Sequence, residues 1–75
     1  MHFCELLDAA PNVHFTCFTW KSGKFRQWYP ARYSKDVGTL DQIGAQLKKQ
    51  APDLIKMRVH SVQPTDYNYM NVYLY

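Results

Sequence analysis

The sequence predicts an α+β fold: a four-stranded antiparallel sheet made of two hairpins, one main helix packed on one face of the sheet, and a short amino-terminal helix. Three observations predict it. Two strand-like runs flank a glycine turn within residues 12–33, apolar residues recur at helical spacing over 40–51, and two further alternating runs follow at 54–62 and 67–75. A chain of 75 residues has room for one domain, which we place at residues 1–75.

The first hairpin is predicted to turn through a three-residue loop, residues 21–23. Gly23 then takes the left-handed position that a type I turn with a G1 bulge requires. This loop length sets the register, with Thr19 opposite Phe25 and Trp20 opposite Lys24. Pro30 near the end of the second strand indicates a sheet edge, since proline cannot donate a ladder hydrogen bond.

Two helices are predicted on either side of the hairpin. Phe3, Leu6 and Leu7 have helical spacing within residues 2–9. The main helix is predicted to begin at Thr39, where residues 39–42 have the form of a capping box, and to stop before Pro52.

Two strands complete the sheet, and residues 63–66 are predicted to form the turn between them. If the main helix crosses back so that the third strand pairs with the first, the strand order is 2-1-3-4, antiparallel throughout. The last strand then lies at an edge, where its backbone can pair with a second copy or with a partner's strand. The alternative is that this strand is central.

The alternation assigns side chains to the two faces of the sheet. The inner face is predicted to hold Val13, Phe15, Cys17, Phe25, Ile55, Met57, Val59, Met70, Val72 and Leu74. The outer face is predicted to hold a set of aromatic and basic residues, which are the candidate binding residues: Phe18, Trp20, Lys24, Arg26, Trp28, Arg58, His60, Tyr69 and Tyr73.

The charge pattern supports a binding role for that set. The net charge is +3, and basic residues alternate with aromatic ones between residues 20 and 35, with no acid among them. Trp, Tyr and Arg dominate the hot spots of protein interfaces, and the same residues can stack bases and contact phosphates. We therefore expect a protein or nucleoprotein partner. The alternatives are single-stranded nucleic acid, a homodimer through this face, or coverage by the amino-terminal helix.

Catalytic and cofactor chemistry are not expected. His14 and His60 are the plausible general bases besides His2, and no acid lies in a motif that would orient either one. Residues 2, 4, 14 and 17 do not have a common zinc-ligand spacing, so no metal or other cofactor is predicted. Cys4 and Cys17 are expected to be free thiols. The protein is therefore predicted not to be an enzyme.

The location is expected to be cytoplasmic. The first eight residues have neither a basic region nor a sustained apolar run, so no leader peptide is predicted. No apolar run approaches the roughly 20 residues that span a bilayer.

In size and in its order of hairpin, helix and strands, the chain resembles small phage-encoded inhibitors, such as anti-CRISPR proteins and phage inhibitors of host RNA polymerase. The resemblance covers residues 12–75 as architecture and involves no shared motif. It implies stoichiometric blocking of a host complex by docking, without chemistry. Many of those proteins are acidic DNA mimics, whereas this chain is basic.

Overall fold

A computed structural model gives the fold and describes residues 1–30, 38 and 40–75. Its helices are α1 (Phe3–Ala9), α2 (Gly44–Gln50) and a 3-10 helix (Leu54–Lys56). Its strands are β1 (His14–Lys21), β2 (Lys24–Gln27), β3 (Gln42–Ile43), β4 (Val59–Asp66) and β5 (Tyr69–Leu74). The α+β prediction is confirmed. None of the helices in the described ranges is long and apolar enough to cross a membrane.

The sheet is mixed, so the prediction of an all-antiparallel sheet is wrong. Its order is β2-β1-β5-β4, with the short β3 pairing with β1. β5 runs parallel to β1, with His14 opposite Tyr69 and Thr19 opposite Leu74, while the other pairs are antiparallel. The carboxy-terminal strand is therefore central. Because β1 and β4 occupy both its edges, the predicted dimer contact through its backbone has no free edge to use.

Strand β4 takes the edge instead, for a reason visible in its residues. Pro64 lies within it, and proline is tolerated where the missing N–H would face away from the ladder. The register between β4 and β5 also shifts twice, at Val59/Ser61 and at Pro64/Asp66. The turn predicted at residues 63–66 is wrong, because the chain reverses at Tyr67 and Asn68, and Asn68 has a φ of 59°. Strand β2 lies at the opposite edge, as Pro30 predicted.

The first hairpin turns through two residues rather than three. Ser22 and Gly23 have φ values of 52° and 84°, and two successive positive values are typical of a type I′ turn. The register is therefore one residue away from the predicted one. Trp20 lies opposite Phe25, and Lys21 lies opposite Lys24.

The main helix begins later than predicted. Gln42 and Ile43 pair with β1 as a strand, and α2 starts at Gly44. The proposed capping residue, Thr39, lies outside the described residues, and so do residues 31–37, which include the last three residues of the predicted hairpin segment. The predicted strand at 54–62 begins as the 3-10 helix and becomes a strand only at Val59.

One apolar layer joins the helices to the inner face of the sheet. Phe3 packs edge-on against Phe15, with ring centroids 5.5 Å apart. The buried core consists of Phe3, Leu7, Phe15, Cys17, Leu47, Ala51, Leu54, Val72 and Leu74. The predicted inner-face residues either belong to this core or pack against it, except Phe25. An ion pair between Lys48 and Asp8 joins α1 to α2 at the surface.

Candidate functional site

The sheet has a second face, opposite the helices, and aromatic rings cover much of it. We call this the outer face and define it by the following residues: His14, Phe18, Trp20, Phe25, His60, Tyr69, Tyr73 and Tyr75. These rings come from β1, β2, β4 and β5 and from the residue that follows β5. The ring contacts form two groups: His14 stacks with Tyr69, and the other six rings are joined through Phe25, Tyr73 and His60.

At the centre of the outer face the rings pack against one another. Phe18 stacks on Tyr73 with ring centroids 4.9 Å apart and planes 17° from parallel. Phe25 meets Tyr73 edge-on at 5.2 Å. Such pairs contribute about 0.5 to 1.5 kcal/mol beyond the area that they bury. These three rings therefore pack as one group at the centre of the outer face.

At one corner of the face four rings surround a pocket of about 280 Å³, which we call the corner pocket: Trp20, Phe25, His60 and Tyr75. Neighbouring rings stand at steep angles to each other, at 75° for Trp20 and Phe25 and at 84° for His60 and Tyr75. Trp20 is 51% exposed and Tyr75 is 56% exposed. The corner pocket is thus open to solvent and is lined by rings that stand at angles to one another, unlike a flat surface on which a base stacks.

At the other end of the face, His14 is held by an acid. Its Nδ1 lies 2.7 Å from Oδ2 of Asp41, and its ring stacks on Tyr69 with centroids 4.6 Å apart. No local sequence motif places an acid beside this histidine, because the two residues are 27 positions apart and meet only when β3 pairs with β1. Asp41 also borders a polar groove whose other lining residues are Thr16, Thr65, Asp66, Tyr69 and Asn71.

The structure brings together only part of the predicted binding set. Phe18, Trp20, His60, Tyr69 and Tyr73 lie on the outer face, in the ring contacts given above. Arg58 is exposed and lies on the same face, because its backbone exchanges two hydrogen bonds with that of Tyr75, each 3.0 Å, and directly opposed side chains point to the same face.

The remaining three predicted residues lie on the other side of the sheet. Arg26 is opposite Thr19 and Lys24 is opposite Lys21, and directly opposed side chains point to the same face. Trp28 packs against the buried core. The reason is the one-residue difference in hairpin register, which moves every side chain of a strand to the opposite face. The prediction that these three residues lie on the outer face is therefore wrong.

Sequence reasoning also missed two walls of the corner pocket. Phe25 was assigned to the core and Tyr75 was left out of the binding set. The missed signal for Phe25 is the Ser-Gly pair at 22–23, since two-residue loops are the commonest hairpin connections and glycine favours them.

Neither cysteine contributes to the outer face. Cys17 is buried in the core, and burial raises the pKa of its thiol to about 12. A thiol with such a pKa stays protonated and is a poor nucleophile. In the part of the chain that the structure describes, no three His, Cys, Asp or Glu side chains are grouped as a metal site.

Comparison of the chain with family models, with curated proteins and with solved structures found no match.

Proposed function

We propose that the protein is a non-enzymatic binding module of the cytoplasm that docks on a protein partner through the outer face. The observation that supports this most is the contrast between the two faces of the sheet. Helices cover one face, whereas the other leaves Trp20 and Tyr75 more than half exposed and Tyr69 41% exposed. Trp and Tyr are enriched among the residues that contribute most to binding at protein interfaces.

The packing below these exposed rings supports the same function. Phe18, Phe25 and Tyr73 are half-buried and hold each other in place. A side chain that is already ordered loses little conformational entropy on binding, so a rigid aromatic surface loses less free energy on docking than a flexible one.

Charge favours a protein over single-stranded nucleic acid as the partner. Binding to single strands combines stacked bases with cations that follow the phosphates. Lys24 and Arg26 lie on the opposite side of the sheet from the exposed rings. A strand stacked on the outer face would therefore have neither of these two cations beside its backbone. Among the described residues, Arg58 lies on the same side as the exposed rings, because it is directly opposite Tyr75.

The resemblance to phage inhibitors extends this proposal. A small domain that docks through one rigid face blocks its partner by occupying a surface, which needs no chemical step. We propose stoichiometric inhibition of a host complex as the biological use of the docking face.

The test is capture of a partner by matched variants. The protein with Trp20→Ala loses an exposed ring of the outer face, and the protein with Tyr67→Ala loses a ring that is 86% exposed but lies in the turn. We expect a partner that is captured by the unmodified protein and by Tyr67→Ala, and whose capture falls at least about tenfold with Trp20→Ala. Circular dichroism should show the same fold for all three.

Equal capture by all three proteins would show that the partner does not bind through Trp20 and would contradict docking through the outer face. A fluorescence titration with a mixed-sequence single-stranded oligonucleotide at low salt separates the competing function. Saturable tryptophan quenching that disappears with added salt would favour nucleic acid instead.

A further inference from the structure

We propose that the corner pocket binds a proline side chain in an extended, polyproline II-type segment of the partner. This inference rests on the proposed function and names the chemistry of one of its anchor points. It is drawn from the shape, the hydrogen-bonding groups and the charge of the four residues that line the pocket.

The angles between the rings disfavour a base sandwiched between two of them. A base needs a free, flat ring face, and sandwiching needs two parallel faces. In the corner pocket, Trp20 and Phe25 stand at 75° to each other, and Phe25 and His60 at 58°. Rings at such angles enclose a compact group from several sides. A pyrrolidine ring is compact, apolar and rigid.

Charge argues against an organic cation, the other compact group that aromatic walls bind. Neither Asp nor Glu is among the described residues that line the corner pocket. The chain as a whole carries a net charge of +3. An uncharged guest needs no acidic residue to balance its charge, and the net positive charge of the chain does not repel it.

The hydrogen-bonding groups at the pocket match those of a polyproline II peptide. Such a segment has no internal hydrogen bonds, so its carbonyl oxygens remain free to accept. Two of the lining residues carry donors, the indole N–H of Trp20 and the hydroxyl of Tyr75, and no hydrogen bond joins either group to the described part of the chain. Nδ1 of His60 lies 3.1 Å from the Ser61 hydroxyl, which leaves its Nε2 for a ligand.

Conformational entropy favours the same guest. Aromatic-lined grooves bind proline-rich segments because the polyproline II conformation is already formed before binding. On the receptor side, Phe25 packs against Trp20, His60 and Tyr73 at centroid distances of 5.0 to 5.2 Å. These contacts restrict the rotamers of Phe25 before a ligand binds, which lowers the entropy that this wall of the pocket loses on binding.

The experiment is a titration of the ¹⁵N-labelled protein with a capped hexaproline peptide. The chain has two tryptophans, and Trp28 packs against the core, so its indole signal is an internal control. We expect a saturable shift of the Trp20 indole signal while that of Trp28 stays in place. Tyr75→Ala should weaken binding at least about tenfold, which corresponds to about 1.4 kcal/mol, and Tyr67→Ala should leave it unchanged.

Parallel titrations use tetramethylammonium chloride and oligothymidylate. No shift with hexaproline up to millimolar concentration, or a tighter saturable shift with either other probe, would overturn the proline assignment. So would an unchanged affinity in Tyr75→Ala. If hexaproline fails while capture of a protein partner still depends on Trp20, the docking function stands and only the proline chemistry is lost. If hexaproline does not bind and capture of a partner does not depend on Trp20, the proposed function is refuted together with the proline assignment.

Discussion

Replacing Gly44 with alanine should destabilise the protein, although replacing a helical glycine with alanine usually stabilises a protein. Gly44 is the first residue of α2, where that helix packs against the end of α1. A Cβ at this position would lie 2.7 Å from the backbone oxygen of Ala10 and 3.2 Å from Cδ2 of Leu7. The first distance is far inside normal contact, and its partner is backbone rather than a flexible side chain.

The backbone on both sides of this contact is held in place. The N–H of Gly44 donates to the carbonyl oxygen of Val13 at 2.9 Å, and the oxygen of Ala10 accepts from the N–H of Val13 at 3.3 Å. Relief of the clash therefore requires α2 to move away from α1. Overpacking of this kind costs about 1 to 3 kcal/mol, while the gain in helix propensity is at most about 1 kcal/mol.

We expect a net loss of about 1 to 2 kcal/mol in the free energy of unfolding, measured by urea denaturation and followed by circular dichroism. For a domain of this size, each kcal/mol lowers the melting temperature by roughly 4 to 8 °C. Gln46→Ala, at an exposed position of the same helix, is the matched control and should change the stability by less than about 0.5 kcal/mol. A Gly44→Ala protein as stable as the unmodified one would refute the close contact between the start of α2 and the end of α1.

Three further predictions test other parts of the structure. The neutral thiol of Cys17 is favoured in the folded state, and the thiol ionises above about pH 8.5 in the unfolded state, so its contribution to stability falls as pH rises. The stability difference between the unmodified protein and Cys17→Ala should change by about 2 kcal/mol between pH 7.5 and 10, and a pH-independent difference would contradict the burial. Asp41→Asn removes the charged partner of His14, and because both side chains are partly exposed it should cost only about 0.2 to 1 kcal/mol in thermal or urea unfolding, whereas a much larger loss would show that Asp41 has another role. Nuclear Overhauser contacts should be observed between the rings of Trp20 and Phe25. Their absence would contradict the two-residue turn and favour the three-residue loop.

The sequence predicted the inner layer well because alternation and burial are local signals. Phe15, Val72 and Leu74 were assigned to the core from period-two patterns, and all three are buried. Helix α1 was likewise found from the spacing of its apolar residues. Such patterns state which side of an element faces the core, and they do so without knowledge of its neighbours.

Strand order could not be predicted in the same way, because it depends on contacts between distant residues. The alternating pattern of β5 is equally compatible with an edge and with the centre of the sheet. The useful signal was Pro64, which favours an edge position for β4 once the run is recognised as a strand. Its assignment to a turn hid that signal and left β5 at the edge.

The candidate site was predicted in part for a related reason. Phe18, Trp20 and Tyr73 were assigned to the correct face because β1 and β5 were in the correct phase. Lys24 and Arg26 were not, because one residue in a turn decides the face of the whole strand that follows it. The prediction of a surface formed by two strands is therefore only as accurate as the prediction of the turn between them.

The docking role of the outer face is tested most directly by site-specific photo-crosslinking in the cells or extract that contain the partner. A benzophenone amino acid is placed at position 20, on the outer face, and in a separate protein at position 46, on the exposed side of α2. We predict a discrete adduct with one partner protein from position 20 and none from position 46. An adduct from position 46, with none from position 20, would show that the partner binds the helical side and would contradict docking through the outer face.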